Sequence, residues 1–127
     1  MVNHRILVAD DEADLMKMVE RYLQAWKFEV DGFTDPVEAL EHFKRNPSFF
    51  SLVLTDVRMP GMSGIELAKK IIQIRPETKI MLMTAYDVPS LKAEDGLPIV
   101  QYSEILKKPF RLAEICQGVR KQLQITT

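Results

Sequence analysis

Asp10-Asp11, Asp56, Thr84 and Lys108 are scattered along the chain, yet each stands at or just past the end of a short run of strand character. Arg5-Ile6-Leu7-Val8-Ala9 leads into Asp10-Asp11, and Leu52-Val53-Leu54-Thr55 into Asp56. Lys79-Ile80-Met81-Leu82-Met83 leads into Thr84, and Ser103-Glu104-Ile105-Leu106-Lys107 into Lys108. If folding gathers these residues, three carboxylates meet, and they cannot all stay ionised without compensation. Lys108 offers one compensation, a mobile ammonium charge. A hard divalent cation offers another: Mg²⁺ takes oxygen ligands, keeps several waters and often uses one or two carboxylates plus a phosphate. Thr84 adds an uncharged hydrogen-bond donor. A carboxylate nucleophile, acids for a metal, a donor and a cation are the parts needed to accept a phosphoryl group on Asp56. Cys116 and the distant His4 and His42 make no zinc ligand set; both histidines read as surface residues.

The elements that must position these residues follow from periodicity. Leu52 to Asp56 reads as a strand buried on both faces, as in a parallel sheet, and Met59-Pro60-Gly61 stops it. Leu15, Met18, Val19, Tyr22, Leu23 and Trp26 form one helical stripe, expected to pack in the core. Phe28 to Phe33 partly alternates, like an edge strand. Asp35-Pro36-Val37-Glu38 opens a helix with Asp as N-cap, Pro at N1 and Glu at N3. Ser63-Gly64-Ile65-Glu66 opens another, closed by Arg75-Pro76. Between Ala85 and Pro98 the pattern weakens to one short helical candidate, Ser90 to Asp95. Leu112, Ile115, Cys116, Val119 and Leu123 mark a last helix, with Cys116 as a small core residue. Strands alternating with helices imply βαβ units: an α/β, doubly wound parallel sheet with helices on both faces and all strand carboxyl ends along one edge. Ligands bind at such an edge.

The chain's 127 residues suit one domain, 1–127. A formal net charge of −1 gives no general attraction to nucleic acid or anionic lipid. No apolar run approaches the roughly 20 residues of a membrane helix. A lone cysteine fits a cytoplasmic setting.

Taken together, Asp10-Asp11, Asp56-Val57-Arg58-Met59-Pro60-Gly61-Met62-Ser63-Gly64, Thr84-Ala85 and Lys108-Pro109-Phe110 resemble the receiver domain of two-component response regulators, over essentially the whole chain. The resemblance implies a flavodoxin-like (βα)5 fold with strand order 2-1-3-4-5. It implies that Asp56 takes a phosphoryl group from a histidine kinase or phosphotransfer protein. Asp11, the Asp56 side chain and the backbone carbonyl of Arg58 would ligate Mg²⁺, with Asp10 acting mainly through water. Thr84 and Lys108 would bind the phosphoryl oxygens, and the Lys108-Pro109 bond would be cis. Output would pass to a downstream protein or to an output domain C-terminal to this stretch.

Two departures are visible. Ile105 stands where the family usually has a switch aromatic, with Tyr102 an imperfect substitute. The stretch from Thr84 to Lys108 carries Pro89, Gly96 and Pro98, so the fourth helix is expected to be short or irregular. Arg58 and Tyr86, each two residues past a site residue, are expected to line the pocket mouth. A dehalogenase-type phosphohydrolase would carry its nucleophile in Asp-x-Asp after the first strand, and here the acid pair precedes the nucleophile. A flavodoxin would want a phosphate-binding loop where Asp10-Asp11-Glu12 would repel one.

Overall fold

Burial orders the strands before any pairing is considered. All of β3 (Leu52–Asp56) is buried, as is β1 (Arg5–Ala9) after its first residue and β4 (Lys79–Thr84) after its first, whereas β2 (Glu29–Phe33) is mostly half-exposed. In the computed structural model, which describes residues 4–85 and 104–125, these strands and β5 (Glu104–Lys107) form one sheet in the order β2-β1-β3-β4-β5. All four neighbouring pairs are parallel. The expected strand order and parallel α/β architecture are therefore present.

Alternation along the strands divides the interior into two layers, because successive side chains point to opposite faces. Leu7, Val53, Ile80 and Leu82 meet Leu40 and Phe43 of α2 (Pro36–Arg45) and Ile65 and Ile71 of α3 (Gly64–Ile74). Ile6, Val8, Leu54, Met81 and Met83 meet Val19 and Leu23 of α1 (Ala13–Ala25) and Ile115 and Val119 of α4 (Leu112–Gln122). Cys116 is buried, as its stripe predicts. Ile105, paired with Leu82, is half-buried against the α2/α3 layer. The helical candidate at 90–95, Tyr86 and Tyr102 lie outside the described residues.

The helix starts follow their local chemistry. Asp35 Oδ1 accepts from Val37 N at 2.9 Å with Pro36 at the first helical turn, and Ser63 Oγ accepts from Glu66 N at 3.1 Å. Each side chain satisfies a donor that the helix leaves without an internal partner.

The core-packing reading of the α1 stripe needs correction. Val19 and Leu23 are buried, but so is Met16, while Met18 is 53% and Trp26 49% exposed. A Cβ at Gly32 on β2 would stand 2.5 Å from Met16 Sδ, so the bare glycine leaves the space in which Met16 is buried. Trp26 instead lies 5.3 Å from the Arg120 guanidinium of α4, a cation–π distance. The surface reading of His42 also changes. Its ring is half-buried near Phe33 and Phe50, and Nε2 is 2.9 Å from Asp31 Oδ2. Arg5 pairs with the same aspartate at 2.8 Å, which gives the edge strand an ionic anchor. His4 is half-exposed, its Nδ1 3.2 Å from Ser51 Oγ.

Candidate functional site

Parallel pairing brings the strand ends level, and this assembles the site. Asp56 closes β3 opposite Met83, Thr84 closes β4 opposite Lys107, and Ala9 faces Thr55, so Asp10 follows β1 beside the end of β3. Hydrogen bonds carry the ladder past the strands: Val57 N donates to Met83 O at 3.0 Å, and Lys108 N to Thr84 O at 2.7 Å. The Lys108-Pro109 peptide is cis.

The side chains then converge on one ammonium. Lys108 Nζ lies 3.0 Å from Glu12 Oε1, 3.1 Å from Asp10 Oδ2 and 3.4 Å from Asp56 Oδ2. The second oxygens of the two buried acids are held by the main chain. Glu12 N donates to Asp10 Oδ1, and Val57 N to Asp56 Oδ1, each at 2.9 Å. One oxygen from each of Asp10, Asp11 and Asp56 falls within 4.8 Å of the others. Thr84 is buried at the same rim. Lys107 is exposed and pairs with Thr84 across the sheet, and the ammonium that stands among the acids is that of Lys108.

Charge at this rim is only partly balanced. Burial pushes Asp56 up to about 6, and the neighbouring Asp10 charge adds to the rise against opposing help from Lys108 and Val57 N–H. Burial likewise raises Asp10, against the Glu12 N–H and Lys108. For Lys108, burial alone would lower the pKa, but hydrogen bonding to Glu12 and attraction to Asp10 and Asp56 outweigh it and raise the value. Oxygen donors only, two of them buried and mutually repelling, suit a hard divalent cation better than any softer metal. The acidic cluster therefore fits such an ion.

The other sequence candidates fall around this centre. Arg58 is exposed and, with Met59, Pro60, Gly61, Ser63 and Glu66, lines a hollow of about 410 Å³ beside the loop after β3. Two residues were missed. Glu12 is the nearest of the three carboxylates to Lys108 Nζ, and its signal was a third consecutive acid after a strand end. Gly64 lies against the Asp56 backbone so closely that a Cβ there would stand 1.9 Å from Asp56 O. A glycine at a helix start hinted at this only weakly.

The chain belongs to the response regulator receiver domain family, whose model matches residues 6–120. These domains are the phosphorylation-dependent switches of two-component phosphorelays. The chain is 34% identical to the response regulator receiver protein CpdR of Brucella abortus, over 94% of this chain and 96% of that protein. It is 29% identical to sporulation initiation phosphotransferase F of Bacillus subtilis, covering 98% of each. The crystal structure of the response regulator protein TrrA from Thermotoga maritima in complex with Mg²⁺-BeF superposes with a TM-score of 0.80 at 32% identity, covering 94% of this chain and 98% of that one. Other relatives are longer: the chain spans 24% of one and 49% of another.

Proposed function

We propose that residues 1–127 act as one receiver unit in which Asp56 is the phospho-acceptor, loaded by a sensor histidine kinase or a phosphotransfer protein in the cytoplasm. The observation that carries this reading is the meeting of Asp10, Glu12 and Asp56 around Lys108 Nζ at 3.0–3.4 Å. Asp56 Oδ2 forms the new O–P bond as the P–N bond of the donor phosphohistidine breaks. The electron pair leaves on the imidazole nitrogen, which takes up a proton from water. Lys108 donates to the developing phosphoryl oxygens, and Thr84, at the same rim, supplies a neutral donor. Mg²⁺ would be held by Asp11, the Asp56 side chain and the Arg58 carbonyl, with Asp10 acting through water. When bound it would neutralise charge on the transferred group.

The domain is a regulatory acceptor, not a turnover enzyme; it promotes its own phosphorylation and dephosphorylation only. The added charge and acceptor oxygens on Asp56 bias a conformational equilibrium, because a modification shifts only those states it distinguishes energetically. The bias is read by a downstream protein or by an output domain C-terminal to this stretch.

Intact mass after incubation with acetyl phosphate tests the reading. The expected result is a gain of one phosphoryl group with Mg²⁺ and none with excess chelator. Uptake indifferent to chelator would contradict the metal assignment. Sustained turnover of a generic phosphate ester would contradict the switch in favour of a hydrolase.

A further inference from the structure

We propose that Glu12 is a positioning residue that acts through Lys108, drawing the ammonium charge away from Asp56 and so opposing phosphoryl uptake. The inference rests on the acceptor reading above. Lys108 Nζ has three N–H bonds and three carboxylate neighbours, and Asp56 is the farthest of them. The two nearer partners are not equivalent. Asp10 is fully buried and tied through Oδ1 to Glu12 N, so it keeps its place and anchors the ammonium. The Glu12 side chain is 63% exposed. It borders a cavity of about 380 Å³ shared with Leu15, Ala85, Lys108, Pro109 and Phe110, which leaves its carboxylate room to swing out.

A phosphoryl group on Asp56 brings a charge of roughly −1.5 to −2 and three acceptor oxygens beside Lys108. Glu12 then competes for the ammonium's N–H bonds and adds like charge next to the new anion. Both effects disfavour the phosphorylated state. Removing the Glu12 charge leaves Lys108 held by Asp10 with more of its charge directed at Asp56. Because Glu12 is exposed, the effect is modest and weakens with salt.

The test is calorimetric titration with beryllofluoride in the presence of Mg²⁺, comparing wild type, Glu12→Gln and Asp14→Asn. Asp14 is an exposed acid in the first turn of α1, so its variant controls for net charge. Glu12→Gln is expected to tighten binding roughly two- to five-fold, the range of exposed ion pairs, with Asp14→Asn close to wild type. Unchanged or weaker binding in Glu12→Gln, or an equal gain in Asp14→Asn, would overturn the proposal. A metal-free readout comes from thermal unfolding of Glu12→Gln, Lys108→Ala and the double variant. Coupling between the two sites is expected, and strict additivity would count against it. Wild type that fails to bind beryllofluoride with Mg²⁺ would remove the acceptor reading and this inference with it.

Discussion

Asp56→Asn is expected to melt at a higher temperature than wild type at about pH 7.5 while losing all phosphoryl uptake. The two effects share one cause. A carboxylate at a buried rim, beside Asp10, is costly to ionise, and its folded pKa rises from 3.8 to about 6. The folded state thus binds the proton more tightly than the unfolded chain. The stabilisation from the protonated form is complete below the unfolded value and is lost as pH climbs through about 6. Above that, the ionised acid costs on the order of 1–3 kcal/mol, already net of what Lys108 recovers.

Asparagine keeps the shape and the Oδ1 acceptor for Val57 N but cannot ionise, so the variant escapes this cost. Melting in chelator should show a gain of several degrees at about pH 7.5, shrinking toward zero near pH 4. The amide is no nucleophile, so mass after acetyl phosphate should stay unchanged. Equal melting temperatures at the higher pH would mean that the site carries no such electrostatic cost.

Gly64→Ala should be the most damaging single methyl in the site, costing about 2–4 kcal/mol of stability. Its Cβ would lie 1.9 Å from Asp56 O, 2.8 Å from Asp56 C and 3.1 Å from Val57 Cα. All three are backbone atoms, so no side-chain rotation relieves the clash. Either α3 retreats, breaking the 2.8 Å bond from Gly64 N to Val57 O, or the end of β3 moves and takes the Asp56 carboxylate with it. Phosphoryl uptake should therefore slow in whatever fraction remains folded.

Gly61→Ala is the built-in comparison. It has a positive φ of 86° but open space around it, so the change should cost only about 1 kcal/mol through backbone strain. Denaturant unfolding of both variants distinguishes the cases. Similar midpoints would show that the Gly64 contact does not constrain the loop.

Residue type and period carried most of this architecture, and where they did not, the reason is physical. The runs ending at Ala9, Thr55 and Met83 are apolar because their strands are covered on both faces, and that coverage makes them readable. Asp10, Asp56, Thr84 and Lys108 were legible as a set because parallel strands must present their carboxyl ends together. The α1 stripe misled at Met18 and Trp26 because burial depends on the space beneath a helix, here that left by Gly32 for Met16. Long-range ion pairing is equally silent in one dimension. Glu12 with Lys108, and Arg5 and His42 with Asp31, join residues whose spacing does not say which acid meets which base. Gly64 is visible in the sequence only as part of a helix start, because its role beside Asp56 is the absence of an atom.

The most direct measurement is to locate the phosphoryl group on the wild-type chain. After acetyl phosphate and Mg²⁺, the acyl phosphate can be trapped by hydride reduction and the modified residue found by peptide mass spectrometry. Modification is expected at Asp56 alone, with Asp10 and Asp11 untouched. A phosphoryl group on any other residue, or a phosphorylated chain with Asp56 unmodified, would contradict it.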